Sequence, residues 1–357
     1  MLRLLPRRSN DVTYFTGDAA RELDGVRRGG PGWWLRGAGD TSDPTSVERV
    51  LVTSERANVQ GYDVVIAAPR PISILLAVDP EHARGVVDAH RASVHAAMTY
   101  LEDRALVVRE RSGGIDRDHA APWESVVAFT HGLNRHGEPH LHDHVLVGAR
   151  PAGQRHVLDS RALYAHAGAA DALYRASLRH ELSQRTPWTA WRSFEGVERV
   201  LGLDEGYRAL WPGHHHERGE KLSWSREETL SSWARDRERF ESLGAVNAPA
   251  ARRDVLDEHR FAGSLEGRYD VARRHLVSAW ADAAGFGQDP KEIVRSIDEI
   301  YPDLQGLGVR ERTIPVRDAR MIANVREIGP RPLERGALED WRQRSREMSR
   351  SREGRSR

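Results

Sequence analysis

The chain has 357 residues, no cysteine and a formal net charge of +1. Without cysteine it can form neither disulfides nor thiolate metal sites, and its overall charge gives no argument for a nucleic-acid partner. No apolar run approaches the roughly 18 residues of a membrane-spanning helix, and the N-terminus is charged too early for a secretory signal. We therefore expect a cytoplasmic protein without membrane insertion.

The first half of the chain predicts an α+β fold. Short β-branched runs predict strands over residues 62–68, 104–110, 124–133, 140–149 and 155–163. Asp79-Pro80-Glu81 has the residues of a helix start and predicts a helix to about Glu102, and a second helix is expected over residues 169–185. The expected architecture is an antiparallel sheet flanked by helices.

The second half of the chain is mostly helical in its pattern. Helical periodicity begins near Ser225 and recurs to about Tyr301. The last residues, from Trp341 to Arg357, contain seven Arg and two Glu, a composition typical of disorder. We predict a core over residues 1–224, a helical extension over 225–314 that could close over the core as a lid, and a largely disordered Arg-rich tail over 315–357.

Histidines gather in the stretch FTHGLNRHGEPHLHDHVLV, residues 129–147. Because strand residues two apart share a face, His142 and His144 lie on one side of their strand and Asp143 on the other. The link to the preceding strand is short enough to make that strand, which carries His131, an antiparallel neighbour. Three imidazoles then converge, as a metal site with open coordination positions requires.

Plainer interpretations of the histidines stay open. The hairpin can be merely polar, since the chain has 17 His, and the consecutive His214, His215 and His216 indicate a polar loop because neighbours do not share a face. A zinc hydrolase of the metallo-β-lactamase kind is rejected, because its H-x-H-x-D-H pattern is one residue longer than the stretch His140–His144.

The same stretch resembles the three-histidine motif of conjugative relaxases of the TrwC/TraI type, in the HUH endonuclease superfamily. That motif runs from a histidine over four residues to an arginine and then to Pro-x-Leu-His-x-His, here His131, Arg135, Pro139, Leu141, His142 and His144. A second block, GYDVVIAAPRPISIL, resembles the family's Gly-Tyr-Asp strand, and a weaker third, DVTYFTGD, stands where the family keeps its nucleophilic tyrosine. The likeness covers about residues 8–290.

The resemblance implies a DNA relaxase, which nicks one strand by tyrosine transesterification and is left with a 5′-phosphotyrosine. His131, His142 and His144 would bind a divalent metal, Arg135 would contact the scissile phosphate, and Tyr14 would attack. Asp63 would hydrogen-bond a ligand histidine and could accept the tyrosine proton. DNA contacts are assigned to Arg70, Trp33 and Trp34, although core packing is the alternative for both tryptophans.

The resemblance points to magnesium or manganese as the metal, whereas three neutral imidazoles by themselves favour zinc, nickel or copper. The expected partner is single-stranded DNA at an origin-of-transfer nick site. The family usually fuses a helicase to the relaxase, but this chain lacks the G-x-x-x-x-G-K-[ST] motif. A separate helicase and a coupling protein are therefore expected as partners.

Two departures from the family pattern stand out. Tyr14-Phe15 replaces the pair or pairs of tyrosines that these relaxases often carry, and Asp143 stands between His142 and His144 in place of Thr or an apolar residue.

Two rival functions remain open. A rolling-circle replication initiator would use a tyrosine downstream of the histidines, Tyr164 or Tyr174. A catalytically inactive relaxase fold would bind DNA without cutting it.

Overall fold

The computed structural model describes residues 1–8, 15, 32–37, 43–51, 58–112, 115–151, 156–193, 196–213, 225–249, 258–304, 306, 308–309 and 311–319. Three of the predictions above, the role of Tyr14, the polar loop at residues 214–216 and the disordered tail after residue 319, lie outside the described residues.

A five-stranded antiparallel sheet forms the centre of the molecule. Its strands are β1 (Leu2–Arg7), β2 (Trp33–Arg36), β3 (Gly61–Ala67), β6 (Val126–Leu133) and β7 (Pro139–Gly148), in the order β1-β3-β7-β6-β2. A Cβ on Gly61 would lie 2.1 Å from the carbonyl oxygen of Val147 on β7. The glycine of the Gly-Tyr-Asp block therefore permits close strand pairing.

The two faces of this sheet carry different elements. The long helices α3 (Ala83–Ala105) and α4 (Ser160–Arg185) pack against one face, which we call the helical face. The opposite face carries Phe15 and the helix α1 (Pro44–Leu51), which form a small apolar cluster with strand residues; its members are Phe15, Val47, Leu51, Val127, Phe129 and Leu146. The latter face also presents the three histidines, and we call it the histidine face.

Shorter elements surround this core. The remaining helices are α2 (Arg70–Val78), α5 (Tyr207–Leu210), α6 (Arg226–Glu241), α7 (Glu258–Ser264), α8 (Arg273–Ala283) and α9 (Pro290–Ile300). Three two-stranded sheets complete the described part of the chain: β4 (Val107–Ser112) with β5 (Ile115–Ala120), β8 (Ala190–Arg192) with β9 (Glu198–Val200), and β10 (Asp270–Ala272) with β11 (Thr313–Pro315).

The α+β architecture is confirmed, and three element predictions are wrong in detail. The helix expected from Asp79 begins at Ala83 and continues to Ala105, so the strand predicted over residues 104–110 begins only at Val107. The strand expected over residues 155–163 is a single bridge at Leu158, because Asp159 accepts a hydrogen bond from the Arg161 amide and starts α4 at Ser160. Local capping outweighed strand propensity there.

The helices after residue 225 pack onto the same core as the sheet. The guanidinium of Arg179 on α4, which is 1% exposed, donates to the carbonyls of Ala281 and Ala284 at the end of α8 and to the carboxylate of Glu198 at 2.7 Å.

The division of the chain into core, extension and tail stays a prediction. Within the described ranges, no helix combines the length and apolarity needed to cross a membrane.

Glu198→Ala should lower the free energy of unfolding by about 3–5 kcal/mol, because it leaves the buried Arg179 charge without its carboxylate. Urea unfolding at fixed salt measures the loss. Glu205→Ala is the matched control, since Glu205 pairs with Arg199 on the surface and should cost only about 0–1 kcal/mol. Equal losses for the two variants would contradict the burial argument.

Candidate metal centre

Strands β6 and β7 bring the three motif histidines together. In their antiparallel register His131 lies opposite His142, and Phe129 lies opposite His144. Residues opposite each other on paired strands share a face, as do His142 and His144, which are two apart on β7. All three imidazoles therefore stand on the histidine face.

The geometry of the cluster suits one metal ion. The ring centroids of His131 lie 5.0 Å from those of both His142 and His144, which are themselves 5.3 Å apart. One nitrogen from each ring can be chosen so that all three lie within 4.8 Å of one another. His131 is buried, and the other two rings are half-buried.

Two of the three rings are oriented by acceptors for Nδ1–H. Nδ1 of His144 donates to Oδ2 of Asp63 on the neighbouring strand β3 at 2.8 Å, and Nδ1 of His142 donates to the carbonyl of His140 at 2.9 Å. Both contacts fix the tautomer that leaves Nε2 as the metal-binding nitrogen. Asp63 is thus in contact with one ring of the triad.

The second oxygen of Asp63 is available as an acceptor. Oδ1 is buried and makes no hydrogen bond to any described residue, although the whole residue is 8% exposed. This oxygen can therefore accept a hydrogen bond, and no described residue donates one to it.

The surroundings favour the neutral form of the His142 and His140 imidazoles. Burial, followed by the neighbouring rings of His131, His140 and His144, lowers the pKa of His142 well below its usual value. Burial and the nearby Arg70 lower the pKa of His140 to about 4. Neutral imidazole is the form that binds a metal.

The donor set therefore fits a divalent cation. Three imidazole nitrogen donors on paired strands, with one carboxylate behind a ligand ring, match the pattern of a three-histidine site that leaves positions open for water or substrate. The triad can hold a metal ion, while its identity stays a prediction.

Arg135 lies on the turn between the two ligand strands, and its side chain is exposed. The side chain of Asn134 shapes this turn, because its Oδ1 accepts from the amides of His136 and Glu138. Gly137 adopts a φ of 78°, which favours glycine. The arginine is therefore held on the turn that joins the two ligand strands, without being buried.

Arg70 is bound within the protein. Its guanidinium donates to the carboxylate of Glu138 at 3.0 Å and also to the carbonyls of Pro139 and Trp211. These contacts tie the start of α2 to the turn that precedes the ligand strand. They favour support of the site over the DNA contact expected for Arg70.

Trp33 contacts the helical face of the sheet. Its Nε1–H donates to Oδ2 of Asp143 at 3.1 Å, and the Arg91 guanidinium stands over its ring. This arrangement favours packing over base stacking for Trp33. The neighbouring Trp34 belongs to β2, and the DNA contact expected of it stays a prediction.

Phe15 lies against the metal centre. Its ring is 5.2 Å from that of His144 and 5.6 Å from that of Phe129. Tyr14, outside the described residues, is its covalent neighbour, and consecutive Cα atoms are about 3.8 Å apart. The one described residue of the DVTYFTGD block therefore stands on the histidine face.

A polar cluster behind the ligand strand is not predicted by the sequence. Asp143 is fully buried and contacts His90 on α3 through Oδ1 at 3.2 Å. Burial raises its pKa, but His90, Thr130 and Arg91 outweigh burial and leave the pKa below its usual value. The only signal in the sequence was Asp143 itself, an acidic residue on the opposite face of the strand from His142 and His144.

Comparison with known proteins places these features in a family. Residues 16–211 match the family model of the TrwC relaxase. The metal-bound structure of the conjugative relaxase TrwC in complex with oriT DNA aligns with a TM-score of 0.53 and 18% identity, over 68% of this chain and 99% of that chain.

A TrwC structure with a 27-mer DNA comprising the recognition hairpin and the cleavage site gives a TM-score of 0.50 and 19% identity over 68% of this chain and 99% of that chain. These likenesses show the fold. No curated protein matches the chain in sequence.

His144→Ala should abolish metal binding by the purified protein, because two nitrogen donors remain of three. Isothermal titration calorimetry of the metal-free protein with Mn²⁺ measures the binding. His156→Ala, at an exposed position, is the control and should bind as the wild type does. Unchanged Mn²⁺ affinity in His144→Ala would remove the triad from consideration.

Asp63→Asn should weaken Mn²⁺ binding by about 10–100-fold, because the amide is a poorer acceptor for the Nδ1–H of His144 and no longer supports its basicity. The same titration measures the change. An affinity equal to that of the wild type would show that the 2.8 Å contact has no influence on the ligand.

Proposed function

The chain belongs to the TrwC relaxase family, and on that premise we propose that Tyr14 attacks a DNA phosphodiester held at the triad of His131, His142 and His144. Enzymes of this family nick DNA for conjugative transfer. The observation that supports this assignment is the convergence of the three imidazoles beside Phe15, whose covalent neighbour is Tyr14.

The proposed reaction exchanges one ester for another. The Tyr14 oxygen forms a bond to phosphorus, the bond from phosphorus to the 3′ oxygen breaks, and that oxygen takes a proton from solvent to become the 3′-hydroxyl of the released strand. The phenol proton has to be removed, since the ordinary pKa of tyrosine is about 10. Oδ1 of Asp63, buried and without a donor among the described residues, is the acceptor we assign to that proton.

A bound divalent cation would neutralise charge on the phosphate oxygens and align them for in-line attack. The chain holds the ligand nitrogens on two paired strands and keeps His142 neutral through burial. Arg135, exposed on the turn between those strands, is assigned to the scissile phosphate, where a guanidinium can donate two parallel hydrogen bonds.

The helical extension supports this turn in our proposal. Trp233 on α6 donates its Nε1–H to the carbonyl of Gly137, in the turn that carries Arg135, at 2.9 Å. We assign residues 1–224 to the catalytic core. Residues 225–314 are assigned to an extension that supports the turn carrying Arg135 and can act as a lid. The Arg-rich tail is left as a third segment.

The proposed substrate is single-stranded DNA at an origin-of-transfer nick site, the kind of DNA with which the similar TrwC structures were solved. Phosphate contacts by arginine would make binding fall as salt rises. A coupling protein as partner, and a cytoplasmic location where such DNA is found, belong to the same proposal. Magnesium or manganese is the metal we assign.

The positions of two other tyrosines disfavour the replication-initiator alternative. Tyr174 is fully buried, with its hydroxyl 2.7 Å from Nδ1 of His90, and burial raises its pKa well above the usual value. Tyr164 also belongs to α4, the helix packed on the face opposite the histidines. Neither hydroxyl is placed to attack a phosphate at the triad.

Tyr14→Phe should abolish the covalent protein–DNA adduct formed with Mn²⁺ and single-stranded oligonucleotides tiling the region upstream of the gene. Denaturing gels detect the adduct. Tyr164→Phe is the matched control and should form it as the wild type does. An adduct that survives in Tyr14→Phe and disappears in Tyr164→Phe or Tyr174→Phe would favour the replication initiator.

The same gels separate the inactive alternative. A wild-type protein that binds Mn²⁺ and DNA but forms no adduct on any oligonucleotide would support a DNA-binding relaxase fold without catalysis, and would contradict the proposed reaction.

A further inference from the structure

A buried carboxylate lies directly behind the metal centre and has no part in the proposed reaction. Asp143 stands between His142 and His144 on β7, and its side chain points to the helical face. Its exposure is 0%. A buried carboxylate costs several kcal/mol of desolvation unless it is hydrogen-bonded, so its partners have to be counted.

Four structural elements meet at this carboxylate. Oδ1 accepts from Nε2 of His90 on α3 at 3.2 Å, and Oδ2 accepts from Nε1 of Trp33 on β2 at 3.1 Å. The Thr130 side chain on β6 supplies a further hydrogen bond. β7 itself is therefore tied to two strands and one helix at a single residue.

The network continues outward into the helical layer. Nδ1 of His90 is 2.7 Å from the hydroxyl of Tyr174 on α4, and both side chains are fully buried. Thr130 also accepts from the Arg91 guanidinium at 3.0 Å. The strand that carries two ligands is thus connected through Asp143 to both long helices.

We propose that Asp143 is a positioning residue for the metal centre, one that holds the His142 and His144 imidazoles at the spacing a single cation requires. A ligand set loses affinity when its members can move apart, and rigid support behind the ligands lowers the cost of ordering them on binding. The proposal rests on the metal site assigned above, but its test does not depend on DNA nicking.

The test is a Co²⁺ titration of metal-free, full-length protein, followed by visible absorption, since the d–d bands of Co²⁺ report both affinity and coordination geometry. Asp143→Asn keeps the side-chain shape and removes the charge. We expect it to weaken Co²⁺ binding about tenfold or more and to alter the d–d bands. Unchanged affinity and bands would overturn the proposal.

The chain offers a closely matched control in the same two helices. Tyr100 on α3 and His166 on α4 form a second buried tyrosine–histidine pair, with 3.0 Å between the hydroxyl and Nδ1, but His166 continues to the carbonyl of Gly308 and not to the sheet. His166→Asn should lower the melting temperature and leave Co²⁺ affinity and spectrum unchanged. If His166→Asn lost as much Co²⁺ affinity as Asp143→Asn, general destabilisation would explain both losses, and the positioning role would be overturned.

If the Asp143→Asn protein does not fold, Tyr174→Phe tests the positioning role of Asp143 instead. It removes only the hydroxyl that contacts His90, so we expect a smaller loss of Co²⁺ affinity, about threefold, in the same direction. A folded Tyr174→Phe protein with wild-type Co²⁺ affinity would then overturn the proposal. If wild-type protein binds Co²⁺ at the triad but forms no DNA adduct, the proposed function fails while the positioning role stands.

Discussion

The pairing of His131 with His142 across β6 and β7 is the constraint on which the rest of the site depends. A slip of one residue in this register would turn His142 and His144 to the helical face and leave His131 alone. The register is held from both sides, by the Asn134–Glu138 turn at one end and by the pairing of β7 with β3 along its length. The Asp63–His144 contact then follows from the order of the strands.

The two faces of the sheet carry residues with different assigned roles, the metal-binding residues on one face and the residues that support the ligand strand on the other. The histidine face carries the triad, Asp63 and Phe15, and the helical face carries Asp143 with His90 and Tyr174. One strand, β7, serves both faces because its residues alternate. This separation also explains why Tyr164 and Tyr174 are poor nucleophile candidates, since both belong to α4, on the side of the sheet opposite the histidines.

The sequence predicted the site better than it predicted the elements around it. Period-two spacing and a short link were enough to place three imidazoles on one face, because strand geometry leaves few alternatives. The partners of Asp143 could not be predicted, since His90, Trp33 and Tyr174 are far apart in the chain and meet only through tertiary packing. Arg70 and Trp33 were assigned to DNA contacts, whereas in the structure both side chains form hydrogen bonds within the protein.

Anomalous diffraction from crystals of the wild-type protein grown with Mn²⁺ would show whether the three histidines bind the metal, because it locates the ion without reference to activity. We expect a single strong peak coordinated by Nε2 of His131, His142 and His144, with Asp63 still bound to Nδ1 of His144. A peak at other residues, or coordination through Nδ1 of His142 or His144, would contradict the account of how the sheet builds the site.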